Sequence, residues 1–356
     1  MVGLRLQLAR GKTAGKTEDV ATRTIEESWL SFRAGACQLG CAVSGECSTF
    51  DEYSDKIHQA GAVSFMTAPG TRPWNFAQYP LNRTVLHFGS VAGGAIIHGT
   101  TRSNLYLWFL ESANCPDRIA FDGRITKSPG IVMIPPASHF TFACTGPARW
   151  ISLLVELTNG GFNKYLAPIE TIKIMMAPQV AELVRLVDAA TAARKVINLG
   201  GLERLQATET SLLGLLDTIL SNSVADRRYF DEGSEESISQ FLECLRRDSQ
   251  SPVLTLARAA GVSERTLHRL CWKYFQMGPK RYSKIRQLNL VRRAIRQSHS
   301  TAGSITAILS EHGVTEFGRF AIEYKALFNE SPTETLQRYI VARSNRSHSS
   351  YPEANK

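Results

Sequence analysis

One pattern constrains this chain more than any other. A short apolar helix, a glycine turn and a second amphipathic helix occur twice near the C-terminus, about 50 residues apart. In the first copy, Leu254–Phe275, the residues Leu256, Ala257 and Ala260 lead to Gly261, which can take the left-handed conformation a tight turn needs. Ser263 stands where an N-cap is required. Leu267, Leu270, Cys271 and Tyr274 then share one helical face, while Arg265, His268, Arg269 and Trp272 share the other. In the second copy, Ser304–Phe328, the residues Ile305, Ile308 and Leu309 precede Gly313, and Thr315 is the expected cap. Phe317, Phe320, Ala321, Tyr324 and Phe328 are expected inward, with Gly318, Arg319 and Ile322 outward. Between the copies, Lys280–Gln297 reads as one long helix with Ile285, Leu288, Val291 and Ile295 inward. Arg281, Lys284, Arg286, Arg292, Arg293 and Arg296 give it charge suited to neutralising phosphates.

The charge follows the same geography. Residues 236–346 carry 18 Lys+Arg against 9 Asp+Glu, so the whole formal excess of +9 lies there and the rest of the chain is neutral. A neutral body with a basic C-terminal region points to a polyanion partner for that region alone. A basic face on a short helix behind a glycine turn is how a recognition helix enters a major groove, where the arginine fork can bridge the two acceptors of guanine.

These residues resemble the AraC/XylS DNA-binding domain, in which two helix-turn-helix units are joined by a long helix. The resemblance covers 253–340. It rests on Ala257, Gly261-Val262-Ser263, Thr266-Leu267-His268-Arg269 and Pro279 in the first unit. In the second it rests on Ile308, Gly313-Val314, Arg319-Phe320 and Phe328-Asn329-Glu330-Ser331-Pro332. Cys271, Gln276, Val314, Gln287 and Asn329 depart from the family's usual residues. The resemblance implies base contacts by Arg265, His268, Arg269, Trp272, Thr315 and Arg319, and backbone contacts by Lys273, Arg281 and Arg286. It also implies double-stranded DNA and RNA polymerase as partners, activation rather than repression, and a second domain that binds a small-molecule effector, forms a homodimer, or both.

The expected fold is α+β in two domains: an N-terminal β-rich, cupin-like barrel with a helical pair, and a C-terminal all-α double helix-turn-helix domain. Thr84–Phe88, Ala95–His98, Leu105–Leu110, Ile131–Ile134 and Trp150–Leu157 read as strands because they are β-branched or aromatic and bounded by Gly, Pro and Asn. Val180, Leu183, Val184 and Val187, then Leu205, Leu212, Leu213, Leu216 and Leu220, follow helical spacing. The boundaries expected are a disordered 1–24, a sensing and dimerisation domain over 25–221, a linker over 222–237, the DNA-binding domain over 238–342 and a disordered tail over 343–356. Trp74, His98, Trp108 and His139 are candidate effector-pocket residues. His87, His98 and His139 lack the H-x-H and carboxylate spacing of a metal-binding cupin, so neither metal, cofactor nor catalytic residue is expected. An odd number of cysteines, Cys37, Cys41 and Cys47 among them, forms no disulfide framework. No stretch has a signal-peptide or membrane-spanning pattern, which fits a cytoplasmic protein. Two other readings compete with an effector-controlled regulator: a ligand-independent dimeric regulator, and a cupin-type enzyme addressed to DNA.

Overall fold

The computed structural model describes residues 46–349 apart from 48, 60–61, 71–73, 82, 102–103, 114–118, 126–130, 157–172, 177–201, 223, 226–231 and 299–303. The residues expected to be disordered at 1–24, the helix expected around Val180–Val187, and Cys37 and Cys41 lie outside the described residues.

The β-rich half consists of two antiparallel sheets. The larger contains β1 (Glu46–Cys47), β3 (Trp74–Pro80), β4 (Thr84–Val91), β6 (Asn104–Ala113), β9 (Ile131–Ile134), β11 (Ala148–Glu156), β12 (Lys173–Met176) and β13 (Val224–Ala225). Its spatial order is β1-β3-β4-β11-β6-β9-β12-β13. The smaller contains β2 (Ala62–Met66), β5 (Ala95–Thr100), β7 (Ile119–Phe121), β8 (Arg124–Ile125) and β10 (His139–Cys144), in the order β2-β5-β10-β7-β8. Ile97, Phe121 and Phe142 from the smaller sheet and Phe76, Val132, Ile134 and Trp150 from the larger share one apolar core. Strand alternation then forces Ile96, His98, Thr141 and Ala143 onto the opposite face of the smaller sheet. That outer face is covered by helices, with Ile96 and Ala143 packed among Phe241, Leu270 and Phe275.

One helix stands within the β-rich half, ahead of its second strand. In α1 (Phe50–Gln59), Phe50, Tyr53 and Ile57 are buried at i, i+3 and i+7. Thr49 accepts from the Glu52 N–H at 3.3 Å, closing the first turn through a T-x-x-E pattern.

The remaining helices are α2 (Leu202–Asn222), α3 (Glu232–Arg247), α4 (Val253–Ala259), α5 (Glu264–Phe275), α6 (Pro279–Gln297), α7 (Ser304–Glu311), α8 (Phe317–Phe328) and α9 (Pro332–Ser349). Leu212 and Leu216 of α2 are fully buried. The segment expected as a linker contains β13, which pairs with β12, and the first residues of α3. Helix α9 continues to Ser349, past residue 342 where helix was expected to end. Residues 42–356 form one compact unit, so the helical part is docked on the sheets. Among the described residues no helix is long and apolar enough to cross a membrane.

Candidate nucleic-acid interface

Both expected turns form. Gly261 (φ 66°) and Gly313 (φ 70°) adopt the left-handed conformation that lets α4 turn into α5 and α7 into α8. Ser263 caps α5, accepting from the Thr266 N–H at 3.2 Å. The expected cap of α8 does not form: the helix begins at Phe317, so Glu316 holds the N-cap position without a side-chain bond and Thr315 stands one residue outside it.

On α5, the residues Leu267, Leu270, Cys271, Tyr274 and Phe275 are buried. Arg265, His268, Arg269 and Trp272 all lie on the exposed face, Trp272 with 58% of its surface open. Neither arginine makes an ion pair with a described residue, so both forks can meet base edges. On α8, Phe320, Tyr324 and Leu327 are buried, and Gly318, Arg319 and Ile322 are exposed. Phe317, expected inward, is 40% exposed, because the helix starts with it and its first turn stands clear of the core. Thr315 is exposed beside it. Arg319 is held by two carboxylates, Glu323 of its own helix at 3.3 Å and the N-cap residue Glu316 at 3.6 Å, and Glu323 also pairs with Lys284 at 2.8 Å. A cleft of about 470 Å³ opens between the two units, lined from both sides by Pro252, Lys280, Lys284, Thr315, Arg319 and Glu323.

The residues expected at the DNA backbone divide. Arg281 is exposed. Lys273 is half-buried, its stem packed beside the β7–β8 turn at Gly123, where an added Cβ would lie 2.7 Å from Lys273 Cγ. Arg286 turns inward: its Nη1 donates to the Leu245 carbonyl at 3.2 Å, which satisfies an acceptor near the end of α3. Arg292 and Arg296, expected to supply charge toward phosphates, instead meet α1. Arg292 binds the Asp51 carboxylate with both Nε and Nη2 at 2.8 Å, and Arg296 Nη1 stands 3.6 Å from Asp51 Oδ1. Arg338 (3.0 Å) and the Tyr339 hydroxyl (2.7 Å) donate to the same carboxylate from α9. Burial alone would raise the pKa of Asp51, but Arg292, Arg296 and Tyr339 hold it below the usual carboxylate range.

Two more polar contacts join α6 to the sheets. Asn289 pairs with the edge of β2 as a neighbouring strand would, accepting from the Met66 N–H and donating to its carbonyl, both at 2.9 Å. His98 hydrogen-bonds through Nδ1 with Thr141 Oγ1 (3.0 Å) and through Nε2 with the Tyr282 hydroxyl (2.9 Å). Burial, with Arg286 adding to it, lowers the His98 pKa to about 3, so the imidazole is neutral.

The four candidate pocket residues therefore occupy different surroundings. His98 faces α6 from the outer side of the smaller sheet. His139 is exposed at the start of β10, bonded to Thr100 Oγ1. Trp74 packs against Phe50 and Tyr53 at ring distances of 5.0 and 4.9 Å. Trp108 is placed only by register, on β6 between Ser152 and Val132. Sequence reasoning missed Asp51 altogether, although Thr49 and Glu52 flanking it carry a helix-start signal, and it missed Phe317 as a surface residue.

Residues 256–338 match the family model described as a helix-turn-helix domain. The chain is 33% identical over 139 residues to the XylDLEGF operon transcriptional activator 3 of Pseudomonas putida, which covers 38% of this chain and 41% of that protein. It is 34% identical over 124 residues to the XylDLEGF operon transcriptional activator 2 of the same organism, covering 34% of this chain and 77% of that protein. The match thus spans about two fifths of the length of the first relative. Among solved structures, the AraC-like transcriptional activator CuxR aligns with 67% of this chain and 89% of its own at 13% identity and a TM-score of 0.37. A probable AraC family regulator from Rhodopseudomonas palustris aligns with 29% of this chain and 96% of its own at 24% identity and a TM-score of 0.26. With both helix-turn-helix units in order and a relative matched over most of its length, the chain belongs to the AraC/XylS family.

Proposed function

We propose that this protein is a sequence-specific DNA-binding regulator of transcription that acts as an activator. The observation that carries this is the paired arrangement of α5 and α8. Each follows a left-handed glycine turn and presents an exposed face, and the cleft between the two units is lined by Lys280, Lys284 and Arg319 of the same basic region. The α5 helix would read base edges with Arg265, His268, Arg269 and Trp272, and α8 with Thr315 and Arg319. Arg281 would anchor the backbone. The names of the relatives support activation, and RNA polymerase is the partner that activation would require. A small molecule bound by the β-rich half would modulate the activity, and the β-rich half would also pair two copies of the chain. A second reading, a regulator that needs no effector, is favoured by one feature: the Asp51 carboxylate already ties α1 to α6 and α9 through four hydrogen bonds.

The test is selection from a random DNA pool at moderate salt, followed by binding to the recovered duplex. Two short boxes about one helical turn apart are expected. Arg269→Ala should cost about 1–3 kcal/mol and relax one position of one box. Recovery of unsorted DNA would refute the proposal. Full binding without any small molecule, with no metabolite shifting Tm, would select the effector-free reading.

A further inference from the structure

The two readers are built alike and equipped differently. Their buried residues superpose in sequence with a constant offset: Leu267 with Phe320, Cys271 with Tyr324, and Tyr274 with Leu327. Their left-handed C-caps, Gln276 and Asn329, keep the same offset. In that alignment Arg265 corresponds to Gly318 and Arg269 to Ile322. The two positions that give α5 its guanidinium forks therefore give α8 a bare backbone and a branched alkyl group. Ile322 is 73% exposed, and a side chain grown on Gly318 would meet nothing within 4 Å, so this face stands open rather than packed. Arg319, the one arginine of α8, is paired with Glu316 and Glu323. Among the described residues, Arg265 and Arg269 have no such counter-charge.

We propose that the second reader recognises thymine C5-methyl groups through Ile322, whereas the first recognises guanine through Arg265 and Arg269. The inference rests on the DNA-binding reading above and specifies the chemistry of its second site. The major groove offers an alkyl side chain one apolar handle, the thymine methyl, whereas Ile322, unlike the arginine it aligns with, has no donor for the two acceptors of guanine. The pairing of Glu323 with both Lys284 and Arg319 adds to this, because it lowers the local positive charge that would otherwise bind any sequence equally.

The experiment uses the full chain and the duplex it selects from a random pool. Repeating the selection with Arg269→Ala identifies the box of α5, since that box alone loses definition. The selected duplex is then resynthesised with deoxyuridine in place of thymidine, one box at a time, which removes only the methyl groups. Losing one buried methyl should weaken binding about 3- to 5-fold in the α8 box and distinctly less in the α5 box. Ile322→Ala lies on an open surface and should fold normally, bind the thymidine duplex more weakly, and no longer distinguish thymidine from deoxyuridine. Ile322→Arg should enrich guanine at a position where the natural chain selects thymine. An α8 box indifferent to deoxyuridine, or an Ile322→Ala protein as sensitive as the natural one, would overturn the proposal while leaving sequence-specific binding intact. Failure to enrich any sequence would overturn both.

Discussion

Replacing Asp51 with alanine removes a carboxylate that ties α1 to both α6 and α9. Only 2% of its side-chain surface reaches solvent, and Arg292 is 7% exposed, so water cannot take its place without rearrangement. The carboxylate accepts four hydrogen bonds, two from Arg292 and one each from Arg338 and Tyr339. Breaking a buried pair from one side costs about 3–5 kcal/mol, because the remaining charge stays desolvated. Here Glu330 still holds Arg292 and Arg338, each at 2.8 Å, which places the expected loss near the lower end, about 3 kcal/mol. Against a typical stability of about 5–15 kcal/mol, that is a large fraction. Urea unfolding followed by tryptophan fluorescence should read it directly, since Trp74 packs against the same helix. The double change Asp51→Ala with Arg292→Ala should lose well under the sum of the single losses, giving a coupling of about 2 kcal/mol or more. A single-variant loss below about 1 kcal/mol, or additive losses, would mean that the cage is screened as a surface pair is and does not hold the two halves together.

Three further outcomes follow from particular groups. Burial lowers His98 to about 3 and His87 to about 4, while it raises Asp122 to about 7 against the opposing hydrogen bond from the Thr141 N–H. Between about pH 4.5 and 6 the unfolded chain therefore binds two imidazole protons that the folded chain refuses, and the folded chain keeps one carboxyl proton that the unfolded chain has lost. Stability should rise with pH by roughly 1.4 kcal/mol per unit there, and Asp122→Asn should about double that slope; urea titrations showing a flat profile would refute the assignment. Gln276 ends α5 at φ 58°, a conformation that costs a side chain about 1 kcal/mol, so Gln276→Gly should raise stability by up to that amount in the same assay. Arg281→Ala should reduce the slope of log binding constant against log salt by about 0.9, whereas Arg286→Ala, which loses its bond to Leu245, should leave the slope unchanged and lower Tm.

Much of the helical half was legible because local rules and tertiary packing agree there. The glycine turns, the Ser263 cap and the buried stripe of α5 each follow from spacing alone, and the strands at Thr84, Ala95 and Ile131 follow from β-branched runs between turn residues. The orientation of α6 was not legible. Its arginines have the spacing of a solvated face, and only the arrival of α1 from more than 200 residues upstream turns Arg292 and Arg296 inward. His98 failed for a related reason: strand alternation gives two faces, but sequence does not say which of them meets the sheet interior and which meets a helix. Phe317 was misassigned because an aromatic residue at helical spacing reads as core, while position within the helix decides exposure at its first turn.

The same helix explains how the readers are kept in register. Along α6, Tyr282, Asn289 and Arg292 face the β-rich half through His98, Met66 and Asp51. From other sides Tyr282 stacks on Phe275 of α5 at 4.1 Å, Arg286 reaches the Leu245 carbonyl of α3, Gln287 donates to the His312 carbonyl at the turn of the second unit, and Lys284 pairs with Glu323 on α8. One element thus touches the sheets and both readers within about three helical turns. Packed interfaces of this kind move between discrete arrangements rather than stretching. Inserting one base pair between the two boxes displaces the second by about 3.4 Å and rotates it by roughly a tenth of a turn. A helix clamped on three sides cannot follow such a displacement, so the insertion should cost nearly as much as scrambling one box, whichever sequence fills the gap.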